Sequence, residues 1–204
     1  MSKGDEVYNQ IQRTARGAAR AGGTPAPTQE YVLRHALESF LERLTRTEYA
    51  DAVVLKGGLL LSAYGARRPT KDVDTNVTGA DVTPQGLASI VTAIARVESE
   101  DGVEFHLPPT IETIRDDAEY PGFRLRVRAS VGRAQVTVAW DVSTGDPIVP
   151  PPWFALAGRL CSSATSVRAA VTGGLHAERS YARHGVSASG SRRSRRPCCP
   201  SCLV

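Results

Sequence analysis

The sequence predicts an α+β fold, a mixed sheet flanked by helices, with an atypical and poorly ordered C-terminal tail. Three observations lead there. Apolar residues recur at helical spacing over Val32–Leu44 and again over Leu87–Val97, with a short β-branched run between them at Ala52–Leu55. From Gly102 to Pro147 the period changes to two, as in strands. After Pro150-Pro151-Pro152 neither period is sustained. A chain of 204 residues with 41% apolar content is long enough for one well-buried core, or one domain with a small appendage.

Taken in order, residues 4–21 predict a short helix with Val7, Ile11 and several alanines on one side, and Gly22-Gly23-Thr24-Pro25-Ala26-Pro27 reads as a linker. Thr28 is the expected cap of the next helix. Its stripe is Val32, Leu33, Ala36, Leu37, Phe40, Leu41 and Leu44, with Glu30, Arg34, Glu38, Glu42 and Arg43 elsewhere on the wheel. His35, in its middle, reads as structural or solvated rather than catalytic. Ala52–Leu55 is a buried strand ended by Gly57-Gly58, and Leu59–Tyr64 resumes as a helical turn or two that Gly65 closes. Val73–Val77 is the second strand, with Asp72 and Asp74 at its beginning. Thr83 caps and Pro84 starts a helix whose stripe is Leu87, Ile90, Val91, Ile94 and Val97. Phe123, Leu125 and Val127 alternate with Arg124, Arg126 and Arg128, Val131-Gly132-Arg133 offers a turn, and Val136, Val138 and Trp140 alternate with Thr137, Ala139 and Asp141. This is an antiparallel hairpin on which Asp141 points away from the apolar row.

The formal charge of +4 is unevenly spread. Residues 1–150 hold 17 Lys and Arg against 20 Asp and Glu, a net of −3, whereas 151–204 hold eight Arg and only Glu178, a net of +7. Such a tail attracts nucleic acid, yet no aromatic-basic motif for reading bases accompanies it. All four cysteines lie in the tail, which fits a reducing compartment rather than a disulfide framework. Cys199-Pro-Ser-Cys202 has the spacing of half a zinc site and lacks a second half. The polar N-terminus carries no signal-type core and no stretch reaches roughly 18 uncharged apolar residues, so the expectation is a cytoplasmic protein with no membrane association.

The chemistry concentrates in residues 56–74, Lys-Gly-Gly-Leu-Leu-Leu-Ser-Ala-Tyr-Gly-Ala-Arg-Arg-Pro-Thr-Lys-Asp-Val-Asp. Gly57-Gly58 between a strand and a helix lets backbone N–H groups approach a phosphate with no Cβ in the way; the same dipeptide also serves as a plain turn. Strand alternation puts Asp72 and Asp74 on one side, where their mutual repulsion is relieved by a divalent cation or by exposure to water. Asp141 is either the third carboxylate of a two-metal centre or a surface acid. Arg68 and Lys71 either meet a triphosphate or form exposed ion pairs. Arg124, Arg126 and Arg128 either carry a nucleic-acid backbone or are the wet side of a hairpin.

A Gly-Gly turn, an Asp-x-Asp strand about 15 residues later and a single aspartate on a distal strand together resemble the polymerase-beta-like nucleotidyltransferases. More narrowly, Val54-Leu55-Lys56-Gly57-Gly58 followed by Arg68-Pro69-Thr70-Lys71-Asp72-Val73-Asp74 resembles the AbiEii-type nucleotidyltransferase toxins of bacterial toxin–antitoxin systems. That resemblance implies a nucleotidyltransferase-like mixed sheet and transfer of a nucleoside monophosphate from an NTP to an acceptor hydroxyl. It implies Asp72, Asp74 and Asp141 as catalytic residues holding two Mg²⁺, with Asp141 at the ion that lowers the acceptor hydroxyl's pKa. Lys56, Gly57, Gly58, Arg68, Thr70 and Lys71 become the nucleotide-binding set. The implied acceptor is RNA, in particular a tRNA 3′ end, the consequence blocked translation, and the partner a cognate antitoxin. A small-molecule or protein acceptor, or a catalytically impaired remnant that only binds antitoxin or nucleotide, are the alternatives.

The expected organisation is an N-terminal helix and linker over 1–27, a catalytic core over 28–150, and a basic Arg/Ser/Cys-rich tail over 151–204. Family members continue after the third aspartate into a helical domain with a nucleotide-contacting lysine, and no lysine follows Lys71 here. The loss of lysine and acid, with the gain of Arg, Ser and Cys, suggests an out-of-frame tail.

Overall fold

Every second side chain of residues 123–131 and 134–142 is apolar, and that alternation builds the centre of the sheet. In the computed structural model, which describes residues 1–21, 27–59, 70–114, 122–144, 153–157 and 165–169, three helices described end to end accompany seven strands, and residues 57–59 are helical as well. The helices are α1 (Lys3–Arg20), α2 (Thr28–Leu44) and α3 (Pro84–Arg96). The strands are β1 (Val53–Lys56), β2 (Asp72–Val77), β3 (Val103–Ile114), β4 (Gly122–Val131), β5 (Ala134–Ser143), β6 (Trp153–Ala157) and β7 (Thr165–Ala169). They form one sheet in the order β3-β4-β5-β2-β1-β7-β6. The sheet is mixed, because β2 runs parallel to β5 and β1 parallel to β7 while the other neighbours are antiparallel. This is the α+β architecture that the two changes of period predict.

One face of the sheet carries the core. Val73 and Val77 of β2, Leu125, Val127, Ala129 and Val131 of β4, and Val136, Val138, Trp140 and Val142 of β5 are all buried there. Against them pack Val32, Ala36, Leu37, Phe40, Leu41 and Leu44 of α2, and Leu87, Ile90, Val91 and Ile94 of α3 join the same core against β3 and α2. Phe40 is the pivot, edge-on to Phe105 at 5.8 Å between ring centroids and 5.5 Å from Trp140. The opposite face carries the intervening polar residues.

Three local devices hold the ends. Thr83 accepts from the Gly86 N–H at 3.2 Å, with Pro84 at the first helical position, as expected for the start of α3. Ser2 and Asp5 form a reciprocal capping box at the start of α1. Arg43, 3% exposed, donates to Asp101 Oδ1 at 2.7 Å and to the Val103 carbonyl at 2.6 Å, and lies 5.0 Å from the Phe105 ring, so it ties the end of α2 to the start of β3. Ser39 and His35 complete that tie through the Asp101 carboxylate and carbonyl. His35 is therefore structural.

Several expectations change. Pro27 occupies the capping position of α2, and Thr28 is its first helical residue with no side-chain cap bond. Arg43 is in the core rather than on the wet side of the helix, between Val32 and Ala36 on the wheel, where its guanidinium finds the Asp101 carboxylate, the Val103 carbonyl and the Phe105 ring rather than water. Regular structure also continues past Pro152, where the backbone of β6 and β7 extends the sheet beyond β1. The 22–26 linker, the helix beyond Leu59, Arg68, the cysteines and the tail after Ala169 lie outside the described residues.

Candidate active site

Register puts five charged residues in one row across the face away from α2 and α3. Lys56 of β1 is opposite Asp74 of β2, Asp74 opposite Asp141 of β5, Asp141 opposite Arg124 of β4, and Arg124 opposite Glu112 of β3. Asp72 stands one pleat away on the same face, opposite Ala139. Paired strand positions share a face and lie about 5 Å apart, so the predicted Asp72, Asp74 and Asp141 converge. Each is half-buried, and each offers a carboxylate oxygen within 4.8 Å of the others.

The electrostatics of this cluster are unfavourable on its own. Burial pushes the Asp74 carboxyl up from its ordinary value, and the charges of Asp72 and Asp141 push it further. The Lys56 ammonium and the Gly58 backbone N–H, which bonds the carboxylate, oppose that rise. Three carboxylates in this geometry fit a hard divalent cation such as Mg²⁺, which takes oxygen ligands and neutralises the repulsion. On the flank, Arg124 grips Asp141 with both arms, Nε to Oδ1 at 2.7 Å and Nη2 to Oδ2 at 2.5 Å. Those bonds and the Asp141 charge hold the guanidinium's pKa above its ordinary value. Lys56 Nζ donates to Ser143 Oγ at 2.6 Å.

The glycine turn is shaped by the carboxylate beside it. Gly57 has φ +74°, and a Cβ there would fall 2.0 Å from Asp74 Oδ2. A Cβ on Gly58 would fall 2.7 Å from Thr70 Oγ1. Lys56, Gly57 and Gly58 thus surround Asp74 and Thr70 meets Gly58, whereas Lys71 is exposed just before β2. Beneath the row, Thr75 is fully buried and accepts from Trp140 Nε1 at 2.8 Å, joining β2 to β5.

Sequence reasoning brought out the three aspartates and passed over Arg124 as their partner, Ser143, and Thr75. The first was available by counting outward from the turn at Gly132-Arg133, since Arg124 and Asp141 are equidistant from it. Thr75 interrupts the apolar row of Val73 and Val77, which marks a buried polar group needing a partner.

A mixed sheet presenting three convergent carboxylates beside a glycine turn fits a metal-dependent nucleotidyltransferase. The family described as nucleotidyl transferase AbiEii toxin, type IV TA system, matches residues 39–172. The chain belongs to this family, and the match runs past Pro150, the end of the catalytic core expected from the sequence. No curated protein matches the chain. Among solved structures, JHP933 from Helicobacter pylori is 17% identical with a TM-score of 0.42, covering 71% of this chain and 53% of that one. A nucleotidyltransferase candidate from H. pylori is 19% identical with a TM-score of 0.45, covering 71% of this chain and 55% of that one. The chain spans about half the length of these two structures.

Proposed function

We propose that this protein transfers a nucleoside monophosphate from an NTP to a hydroxyl of RNA, the 3′ end of a tRNA, and so blocks translation as the toxin of a bacterial toxin–antitoxin pair. The observation that carries the reading is the convergence of Asp72, Asp74 and Asp141 within 4.8 Å in a member of this family. When bound, two Mg²⁺ supply charge neutralisation of the triphosphate and a more acidic acceptor hydroxyl. Asp72 and Asp74 would hold both ions and Asp141 the one at the acceptor. Lys56 and the Gly58 N–H steady Asp74, Gly57 lets the turn pass over it, and Thr70 packs against Gly58. Lys71 meets the triphosphate, and Arg68 joins it in the nucleotide-binding set.

For the RNA, the same face offers a basic stripe. From the triad it runs through Arg124 and Arg126 to Arg128, at a groove of about 590 Å³ lined also by His106, Gln135 and Thr137. Arg126 is paired with Glu112, and Arg128 is exposed. Phosphate contacts of this kind weaken with salt. The reading includes a cytoplasmic site of action and an antitoxin partner, which the family's toxin–antitoxin character supports. No helix among the described residues is long and apolar enough to cross a membrane.

The test is induction of wild type beside Asp72→Ala, with growth followed and total RNA examined for 3′ extension. Wild type is expected to arrest growth and lengthen RNA, and the variant to do neither. Equal inhibition by both removes catalysis from the account. Label that passes from an NTP into protein or a small molecule, but not into RNA, overturns the acceptor.

A further inference from the structure

Asp141 differs from its two companions in what holds it. Both of its oxygens are engaged by one guanidinium, at 2.7 and 2.5 Å, so a cation entering the centre must compete with that positive charge for this ligand. The arm that holds it is free to leave. Arg124 is 39% exposed at its side chain against 17% for Asp141, and its removal opens no hole in the core on the other face. A guanidinium fork that fits a carboxylate with two parallel bonds fits a phosphate equally well.

The geometry points to Arg124 as a partner-switching residue that neutralises Asp141 while the centre is empty and passes to a substrate phosphate when the cation takes Asp141. Naming the phosphate as the second partner rests on the proposed function; the competition between Arg124 and the cation does not. The exchange keeps Asp141 and Arg124 each matched at both stages. With cation alone, Asp141 is gained by the metal while Arg124 loses its partner beside a second positive charge. With cation and nucleotide together, the phosphate receives the guanidinium. Arg124 therefore couples the two ligands, making cation binding weak by itself and strong in the presence of nucleotide. It acts through Asp141 on the metal and positions the phosphate. The neighbouring charges fit this role: Asp72 and Glu112 also attract the guanidinium, so its departure is held back until a comparable anion arrives.

The experiment measures free Mn²⁺ by electron paramagnetic resonance over the full-length chain, with and without a non-hydrolysable α,β-methylene NTP. Wild type, Arg124→Ala, Arg124→Gln, Arg124→Lys and Asp72→Ala are compared, with circular dichroism reporting folding. Arg124→Ala and Arg124→Gln are expected to bind Mn²⁺ alone about tenfold more tightly, the factor for a unit charge about 6 Å from a divalent ion at the dielectric of water. The enhancement of Mn²⁺ binding by nucleotide should shrink in both, and Arg124→Lys should stay near wild type. Mn²⁺ binding that is unchanged or weaker in both folded neutral variants overturns the proposal. Asp72→Ala separates the two claims. Wild-type Mn²⁺ binding in that variant removes the metal centre and the proposed function with it, whereas binding lost there but unmoved by Arg124→Ala and Arg124→Gln overturns only the role of Arg124.

Discussion

Gly57 and Asp74 are in such close approach that a Cβ on the glycine would lie 2.0 Å from the carboxylate Oδ2. The glycine is thus required twice, by that contact and by its φ of +74°. Its neighbour is under a milder constraint, because the atom 2.7 Å from a Cβ on Gly58 is Thr70 Oγ1, the end of a side chain that can turn about χ1.

The two glycines should respond differently to alanine. Gly57→Ala forces a left-handed residue, worth about 1–2 kcal/mol, and drives Asp74 from the triad. Its Mn²⁺ affinity should drop to that of Asp74→Ala. Gly58→Ala should keep measurable Mn²⁺ binding and lose less stability. Calorimetric titration with thermal melts checks both, and equal loss in the two variants would contradict the role assigned to Gly57.

Without a cation, Asp74 is a liability to the fold. Burial and two neighbouring carboxylates oppose its ionised form, so Asp74→Asn should melt higher than wild type in EDTA, by on the order of 1 kcal/mol. Adding Mg²⁺ should raise the melting temperature of wild type and leave the variant nearly unmoved. A variant less stable than wild type in EDTA would show that Asp74 is held by attraction rather than strained by repulsion.

What made this centre legible is local. Asp72, Val73 and Asp74 alternate on one strand, so their common face follows from period two alone, and Thr83-Pro84 announces its helix within four residues. What was not legible depends on register or on contacts distant in the chain. Arg43 falls between Val32 and Ala36 on the wheel, which signals burial, yet the partner that makes a buried guanidinium tolerable, Asp101, is 58 residues away and nothing in α2 identifies it. The Arg124–Asp141 pair required the two-residue turn at Gly132-Arg133 to be fixed before strand positions could be matched. Past Pro152, β6 and β7 each supply only five residues and no strict alternation, too little for a periodic signal to exceed the surrounding Ser and Arg.

Two half-buried acids set opposite limits on stability with pH. Burial pushes Glu38 up from 4.5 to about 7 despite its bond to Arg34. The folded state therefore holds more protons than the unfolded chain between these values, and stability falls as pH rises from about 4.5 to about 7. Burial also raises Asp101, but bonds from Arg43, Ser39 and the Val103 N–H outweigh it and its pKa is lowered. Its contribution is present above the unfolded value of 3.8 and is lost as pH falls below that. Glu38→Gln should flatten the decline between pH 5 and 8 and add at most about 3 kcal/mol at pH 8. Asp101→Asn should destabilise at pH 7 and lose the acid limb. Denaturant melts across the range read both, and a Glu38→Gln profile parallel to wild type would remove the first assignment.

Thr75 fixes the alignment of the triad from below. Its hydroxyl accepts from Trp140 Nε1 at 2.8 Å and approaches the Asp141 carbonyl at 3.4 Å, while Ser143 Oγ donates to the Thr75 carbonyl at 3.3 Å. These bonds join the one parallel strand pair on which Asp74 and Asp141 meet. Thr75→Val keeps the shape and leaves the indole N–H of a fully buried Trp140 without an acceptor, a loss of about 1–3 kcal/mol. Trp140→Phe removes the donor as well, so in the double variant the threonine's contribution should largely vanish. A double-mutant cycle followed by denaturant unfolding measures that coupling. Because Thr75 lies between Asp74 and Asn76 on β2, Thr75→Val should also weaken Mn²⁺ binding, whereas an equally destabilising change in α3, such as Ile94→Val, should not. Loss of stability without loss of cation affinity would make Thr75 a core residue only.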